Sequence, residues 1–288
     1  MTLVLGTVCH DGVVIATDTQ YTEDFFTTRG LKIFTVEGGQ DHRMIIAGFD
    51  NADVFKRAVD GIKQSASVLF KSSDSVVSLA EIKSMVESSL AELFAKHLDK
   101  IPESERADYN FQLVIAIYVK TEGVHLFHTN RSMLVEDHHH VCFGEGKFVA
   151  DWALDLFFPT LPSVEVGRPL SAFIIFNAKR FVSSVGFPTK VYALSSDGTD
   201  SRMFPAEIAE VERFYQEYVE AIKFPLFSLD LSSEVGLAGG DIIRDTLVRF
   251  RDAKRIRLAR YEEAQKDLTL EPTQVRRVPK RDPSPPKP

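Results

Sequence analysis

The dipeptide Asp11-Gly12 sits between two apolar runs, Leu3 to Val8 and Val13 to Thr17, and leaves that stretch few ways to fold. Leu3, Leu5 and Thr7 fall on one face of an extended chain and Val4, Gly6 and Val8 on the other, the two-residue period of a strand. Aspartate followed by glycine supplies the turn that a tight hairpin needs. A hairpin returns the end of its second strand to the start of its first. Asp18, which closes the second run, is therefore predicted to lie beside residue 2. Asp18-Thr19-Gln20-Tyr21-Thr22 then leaves the sheet, Lys32 opens the run Ile33-Phe34-Thr35-Val36, and Arg43 to Gly48 follows the Gly38-Gly39 turn.

Past Gly48 the period changes. Val54, Phe55, Ala58, Val59, Ile62, Val68 and Leu69 recur near helical spacing behind a cap at Asp50 or Asn51, and a second helix is predicted over 78–98 with Leu79, Ile82, Val86, Leu90, Leu93 and Phe94 on one face. Strands return at 111–119, 124–128, 132–136 and 141–143, followed by helices over 147–158 and 169–181, a strand over 190–194 and a helix over 205–223. Strands, paired helices, strands and helices again give an α+β order with helices outside a sheet sandwich.

The chain has 288 residues, 44% of them hydrophobic, enough for a substantial core. No apolar run reaches the ~18 residues of a membrane span. Asp11 and Asp18 interrupt the N-terminal apolar stretch, unlike a secretory signal, so a cytoplasmic location is expected. Cys9 and Cys142 lack metal-ligand spacing and read as reduced core residues. His138-His139-His140 alternates faces if extended, so it reads as a solvated turn and no metal site is expected; His125 and His128 have no evident partner. The net charge of −7 is uneven: residues 244–288 hold 13 Lys and Arg against 7 Asp and Glu, leaving an acidic body with a basic tail. The expected organisation is a main domain over 1–240, a basic amphipathic helix over 241–267 and a disordered Pro-rich tail over 268–288. The tail lacks aromatics placed for stacking, so a docked helix is favoured over nucleic-acid binding.

Thr2 follows the initiator methionine. Trimming of Met1 would leave the Thr2 hydroxyl beside its own α-amine. An α-amine titrates at about 7.7 to 8.0, so it can be neutral near pH 7 and accept the hydroxyl proton, a recognised way to activate a weak nucleophile. With Asp18 and Lys32, each at the edge of a predicted strand, the hydroxyl is joined by one carboxylate and one amine, groups that can build an activated nucleophile.

The order Thr2, Gly6, Asp11-Gly12-Val13-Val14, Ala16-Thr17-Asp18, Thr22, Lys32-Ile33-Phe34 and Ile46-Ala47-Gly48 resembles the β-type subunits of the proteasome and their bacterial relatives, which are N-terminal-nucleophile hydrolases. The resemblance implies a four-layer αββα sandwich with a C-terminal helical extension. It also implies a threonine nucleophile at Thr2 tuned by Asp18 and Lys32, no cofactor, a peptide or protein substrate, and a homo-oligomeric ring whose ATPase or other regulatory partner is unknown. Thr22 and Gly48 fall where that family's backbone pairs with an extended peptide, and Ile46 where it lines the first specificity pocket, which implies an apolar side chain there.

Two positions depart from the pattern. Glu145, in Phe143-Gly144-Glu145-Gly146-Lys147, stands where the family has a serine beside the nucleophile. It either accepts a proton from the α-ammonium or caps the following helix, and capping is the simpler reading. Phe181 stands in place of an aspartate that in the family holds a serine, matched here by Ser184. Three readings follow: a threonine hydrolase acting through an acyl-enzyme, a non-catalytic ring or scaffold subunit, and a small-molecule amidase on the same fold.

Overall fold

A computed structural model describes residues 3–23, 26–72, 76–157, 160–227 and 248. The hairpin is present: β1 (Leu3–Cys9) and β2 (Gly12–Thr17) pair antiparallel, with Val4 opposite Thr17 and Cys9 opposite Gly12. Past Asp18 the chain forms a two-stranded ribbon, β3 (Gln20–Glu23) and β4 (Phe26–Arg29), in which Thr22 pairs with Thr27. β5 (Ile33–Gly38) and β6 (His42–Asp50) open a second sheet. Two helices follow, α1 (Ala52–Ser72) and α2 (Leu79–Leu93). Asn51 caps α1 by accepting from the Val54 N–H at 3.0 Å. Ser78 and Glu81 close a reciprocal capping box on α2.

β7 (Phe111–Val119), β8 (Gly123–Asn130) and β9 (Met133–Asp137) complete the second sheet in the order β5-β6-β7-β8-β9. β10 (His140–Gly144) crosses to the first, which runs β10-β1-β2-β11-β12 once β11 (Lys190–Ser195) and β12 (Asp200–Arg202) join. α3 (Lys147–Phe157) and α4 (Val164–Phe181) lie between β10 and β11 in sequence, and α5 (Pro205–Phe227) follows β12. α4 begins five residues before the expected Pro169. Ser163 caps it, accepting from the Val166 N–H at 3.4 Å, and Pro169 is accommodated inside the helix.

The strand period sorts the core into three layers. On β6, Met44 and Ile46 point toward α1 and α2, while Ile45, Ala47 and Phe49 point toward the first sheet. On β1, Leu3 and Leu5 pack toward α3 and α4, and Val4 packs between the sheets. This is the four-layer αββα arrangement. The chain divides into two compact units, Met1–Tyr215 and Gln216–Pro288. The expected boundary at 240, the helix over 241–267 apart from Val248, and the tail over 268–288 lie outside the described residues.

His125 and His128 do have partners. Their Nδ1 atoms lie 2.7 Å from Glu136 and 2.7 Å from Asp137 on the adjoining strand. The pairing of β8 with β9 creates both contacts, and spacing along one strand cannot reveal them. Among the described residues no three His, Cys, Asp or Glu side chains gather to hold a metal ion, and no helix is long and apolar enough to cross a membrane.

Candidate active site

The site is built where the first hairpin meets the strand that Lys32 leads into. Asp18 and Lys32 are both fully buried, and Lys32 is the largest fully buried side chain among the described residues. Its ammonium lies 3.1 Å from Asp18 Oδ1, also donates to the Gln20 carbonyl, and sits 4.6 Å from the centre of the Tyr21 ring. Burial pushes the Lys32 amine down to about 8, against the opposing pull of the Asp18 carboxylate. An amine in that range exchanges protons near neutral pH.

Both oxygens of Asp18 are occupied. Oδ1 also accepts from the Leu3 N–H at 3.0 Å, and Oδ2 accepts from the N–H groups of Gln20 and Gly186 at 3.0 and 3.1 Å. The first described residue of β1 is therefore tied to Asp18, as the hairpin argument requires. The Thr17 hydroxyl reinforces the tie by donating to the Leu3 carbonyl at 2.8 Å. Thr2, the expected nucleophile, lies outside the described residues.

The Ser184 hydroxyl donates to Glu145 Oε2. Glu145 is at the β10–α3 corner and Ser184 in the loop after α4, 39 residues later. The carboxylate beside Ser184 thus comes from the corner. Phe181, at the end of α4, is 71% exposed. Capping of α3, the simpler reading of Glu145 from sequence, leaves out this contact. The Ser184 loop also reaches the ion pair, because Gly186 is the donor to Asp18 Oδ2.

Gly48 and Ile46 belong to β6. The Gly48 N–H donates to the Lys32 carbonyl at 3.1 Å, and a Cβ there would lie 2.4 Å from the Phe55 ring, so only glycine fits. Ile46 is fully buried in the layer under α1 and α2 with Phe55. Thr22 occupies its place on the β3–β4 ribbon.

Three residues of this neighbourhood were not assigned to the site from the sequence. Gln20 donates its side-chain N–H to the Ser183 carbonyl at 3.0 Å, and its own carbonyl receives Lys32. Gly186 faces that side chain so closely that a Cβ would fall 1.9 Å from Gln20 Oε1. Asp50, at the end of β6, holds a left-handed backbone with φ of 73°. Its carboxyl is raised above the usual range chiefly by burial, with the charge of Glu145 adding to the rise and that of Lys32 opposing it. An aspartate just before a helix reads as a cap, and that local signal masks any other role. Gly186→Ala is expected to cost about 0.5 to 1 kcal/mol in urea unfolding, because the new methyl displaces the flexible end of Gln20 from its exposed bond to Ser183. In a Gln20→Ala background the same change should cost almost nothing. Equal costs in both backgrounds would show that Gly186 and Gln20 are not coupled.

No protein-family model matches the chain, and no curated protein matches its sequence. Solved structures do match. Anbu (ancestral beta-subunit) from Yersinia bercovieri superposes with a TM-score of 0.65 at 15% identity, covering 76% of this chain and 95% of that one. The Anbu complex of Pseudomonas aeruginosa, described as a helical assembly, gives 0.64 at 15% identity with the same coverage. Anbu from Hyphomicrobium sp. strain MC1 gives 0.61 at 14% identity, over 76% and 95% of the two chains. The chain has the proteasome-like N-terminal-nucleophile fold.

These matches correct the expected membership among proteasome β-type subunits. The similar structures are Anbu proteins, and no family model supports the β-type assignment. The hairpin and the strands around it belong to the fold, so their order does not assign the chain to one family within it. At this identity the Anbu likeness carries the fold alone.

Proposed function

We propose that the chain is a threonine-type N-terminal-nucleophile hydrolase that opens peptide or related amide bonds through an acyl-enzyme on Thr2, exposed by removal of Met1. The observation that carries this reading is the buried Lys32–Asp18 pair, with the Leu3 N–H donating to the same carboxylate oxygen as the lysine. That arrangement sets a titratable amine and a fixed negative charge beside the start of β1. In the reaction, Thr2 Oγ attacks the amide carbon and its proton passes to the α-amine. The leaving amine departs with that proton, and water then repeats the sequence to release the acid and free Thr2. Lys32, with its lowered proton affinity, assists the transfer, and Asp18 holds it in place. Ser184, bonded to Glu145, is assigned the support of the α-amine. Peptide docks in extended form along the β3–β4 ribbon that carries Thr22. The helical assembly described for the Pseudomonas aeruginosa Anbu complex supports a homo-oligomeric state here.

Intact-mass analysis before and after a threonine-directed electrophile tests this. The native chain is expected to begin at Thr2 and gain one adduct, and Thr2→Ala should abolish the adduct. Retention of Met1 with no adduct overturns the hydrolase and leaves a non-catalytic subunit.

A further inference from the structure

Gln20 is bonded to both halves of the candidate site. On one side its N–H donates to Asp18 Oδ2 at 3.0 Å and its carbonyl accepts from the Lys32 ammonium. On the other its side chain donates from Nε2 to the Ser183 carbonyl at 3.0 Å, across 163 residues of chain. Ser183 precedes Ser184, whose hydroxyl is bonded to Glu145, and Gly186 in the same loop returns its N–H to Asp18 Oδ2 at 3.1 Å. Hydrogen bonds and backbone thus close a ring from Asp18 through Gln20 to Ser183 and back through Gly186. The loop carries no Cβ where the glutamine crosses it, since one on Gly186 would fall 1.9 Å from Gln20 Oε1. The far side of the loop is tied separately, by the Thr19 N–H to the Gly186 carbonyl at 3.4 Å and the Thr19 hydroxyl to the Pro188 carbonyl at 3.0 Å. The hold at the Ser183 end comes from Gln20.

We propose that the Gln20 side chain is a positioning residue that holds the Ser184 loop against the Asp18–Lys32 pair, so that the position of the loop sets the pH at which the lysine exchanges its proton. The inference rests on the role given to Lys32 above. Lys32 is faced by the Asp18 carboxylate at 3.1 Å, by the Tyr21 ring at 4.6 Å and by the charge of Asp50. Of these groups Asp18 is the one the loop is bonded to, through Gly186. Each N–H donated to a carboxylate offsets part of its negative charge. Without the Gln20 tie the loop relaxes at its Ser183 end and the Gly186 N–H weakens its bond to Asp18. The carboxylate then bears more strongly on the ammonium, and Lys32 keeps its proton to a higher pH.

Gln20→Ala and Gly186→Ala break the link from its two sides. Each should move the midpoint of the pH–rate profile for modification of the full chain by a threonine-directed electrophile upward by roughly half a pH unit, which at pH 7 is a roughly threefold slower rate. The double variant should go no further, because both changes remove one contact. Gln20→Met keeps the bulk without the donor and should behave as Gln20→Ala. A second readout needs no reaction at Thr2. The folded lysine lies at about 8, below its ordinary 10.5, so its contribution to stability in urea unfolding rises with pH from about 8. In Gln20→Ala that rise should begin roughly half a pH unit later, and the difference should vanish in a Lys32→Met background. An unmoved unfolding profile in Gln20→Ala overturns the proposal, as does a double variant whose shift is the sum of the two single ones. A native chain that takes no adduct overturns the function proposed above, and the unfolding profiles then still decide whether Gln20 links the loop to Lys32.

Discussion

Lys32→Met is expected to slow modification of the chain by a threonine-directed electrophile by about 10² to 10⁴-fold, the range supplied by a positioned acid–base group. The unsubstituted chain should show a rate that climbs as pH rises through about 8, where the buried lysine loses its proton. Lys32→Arg keeps a positive charge against Asp18 but never releases a proton, so it should remain slow at every pH. Protein stability carries the same titration with a definite sign. The folded lysine sits at about 8, below its ordinary value of 10.5, so the unfolded chain binds more protons between those values. This group's contribution therefore rises with pH across that window and is constant below it. A wild-type modification rate that is flat between about pH 6 and 9 would remove Lys32 from the proton path.

Asp18→Ala is expected to destabilise the fold by about 3 to 5 kcal/mol in urea unfolding, the usual cost of breaking a buried ion pair from one side. Lys32, no longer held up by the carboxylate, would be driven further below its ordinary value and forced to give up its proton in the core, and the N–H groups of Leu3, Gln20 and Gly186 would each lose their acceptor. Asp18→Ala combined with Lys32→Met should recover part of the loss, since two apolar groups strand no buried amine. The coupling in this double-mutant cycle is expected to exceed about 1 kcal/mol. A loss from Asp18→Ala below about 1 kcal/mol would mean that water reaches the pair and that its burial does not govern the site.

How far the site could be read from the sequence depended on whether its parts are joined by local structure. Asp11-Gly12 fixes a short hairpin, so the nearness of Asp18 to Leu3 follows from turn chemistry and a count of residues. Lys32 was recognisable as the polar opening of an apolar run. Its contact with Asp18 is 14 residues distant and depends on the β3–β4 ribbon folding back. Pro169 shows the limit of a local rule: proline marks a first turn in sequence, yet Ser163 starts the helix earlier and tertiary packing tolerates the proline within it. The pairing of Glu145 with Ser184 was out of reach. A carboxylate at a strand-to-helix corner carries a strong local meaning as a cap, and its partner arrives from a loop on the far side of α4.

The sequence by itself determined the alternation of strands and helices, which apolar residues share a face, and the short-range meeting of Asp18 with the start of β1. These depend on period and turn type, which neighbouring residues encode. The tertiary structure alone decided that Lys32 is buried deeply enough to lower its proton affinity, that Gly186 and Gln20 interlock beside Asp18, and that Glu145 supplies the carboxylate for Ser184. It also decided that Phe148, Trp152 and Leu156 face outward. Burial, desolvation and long-range contact are set by which layers close over a residue, and no window of adjacent residues contains that information.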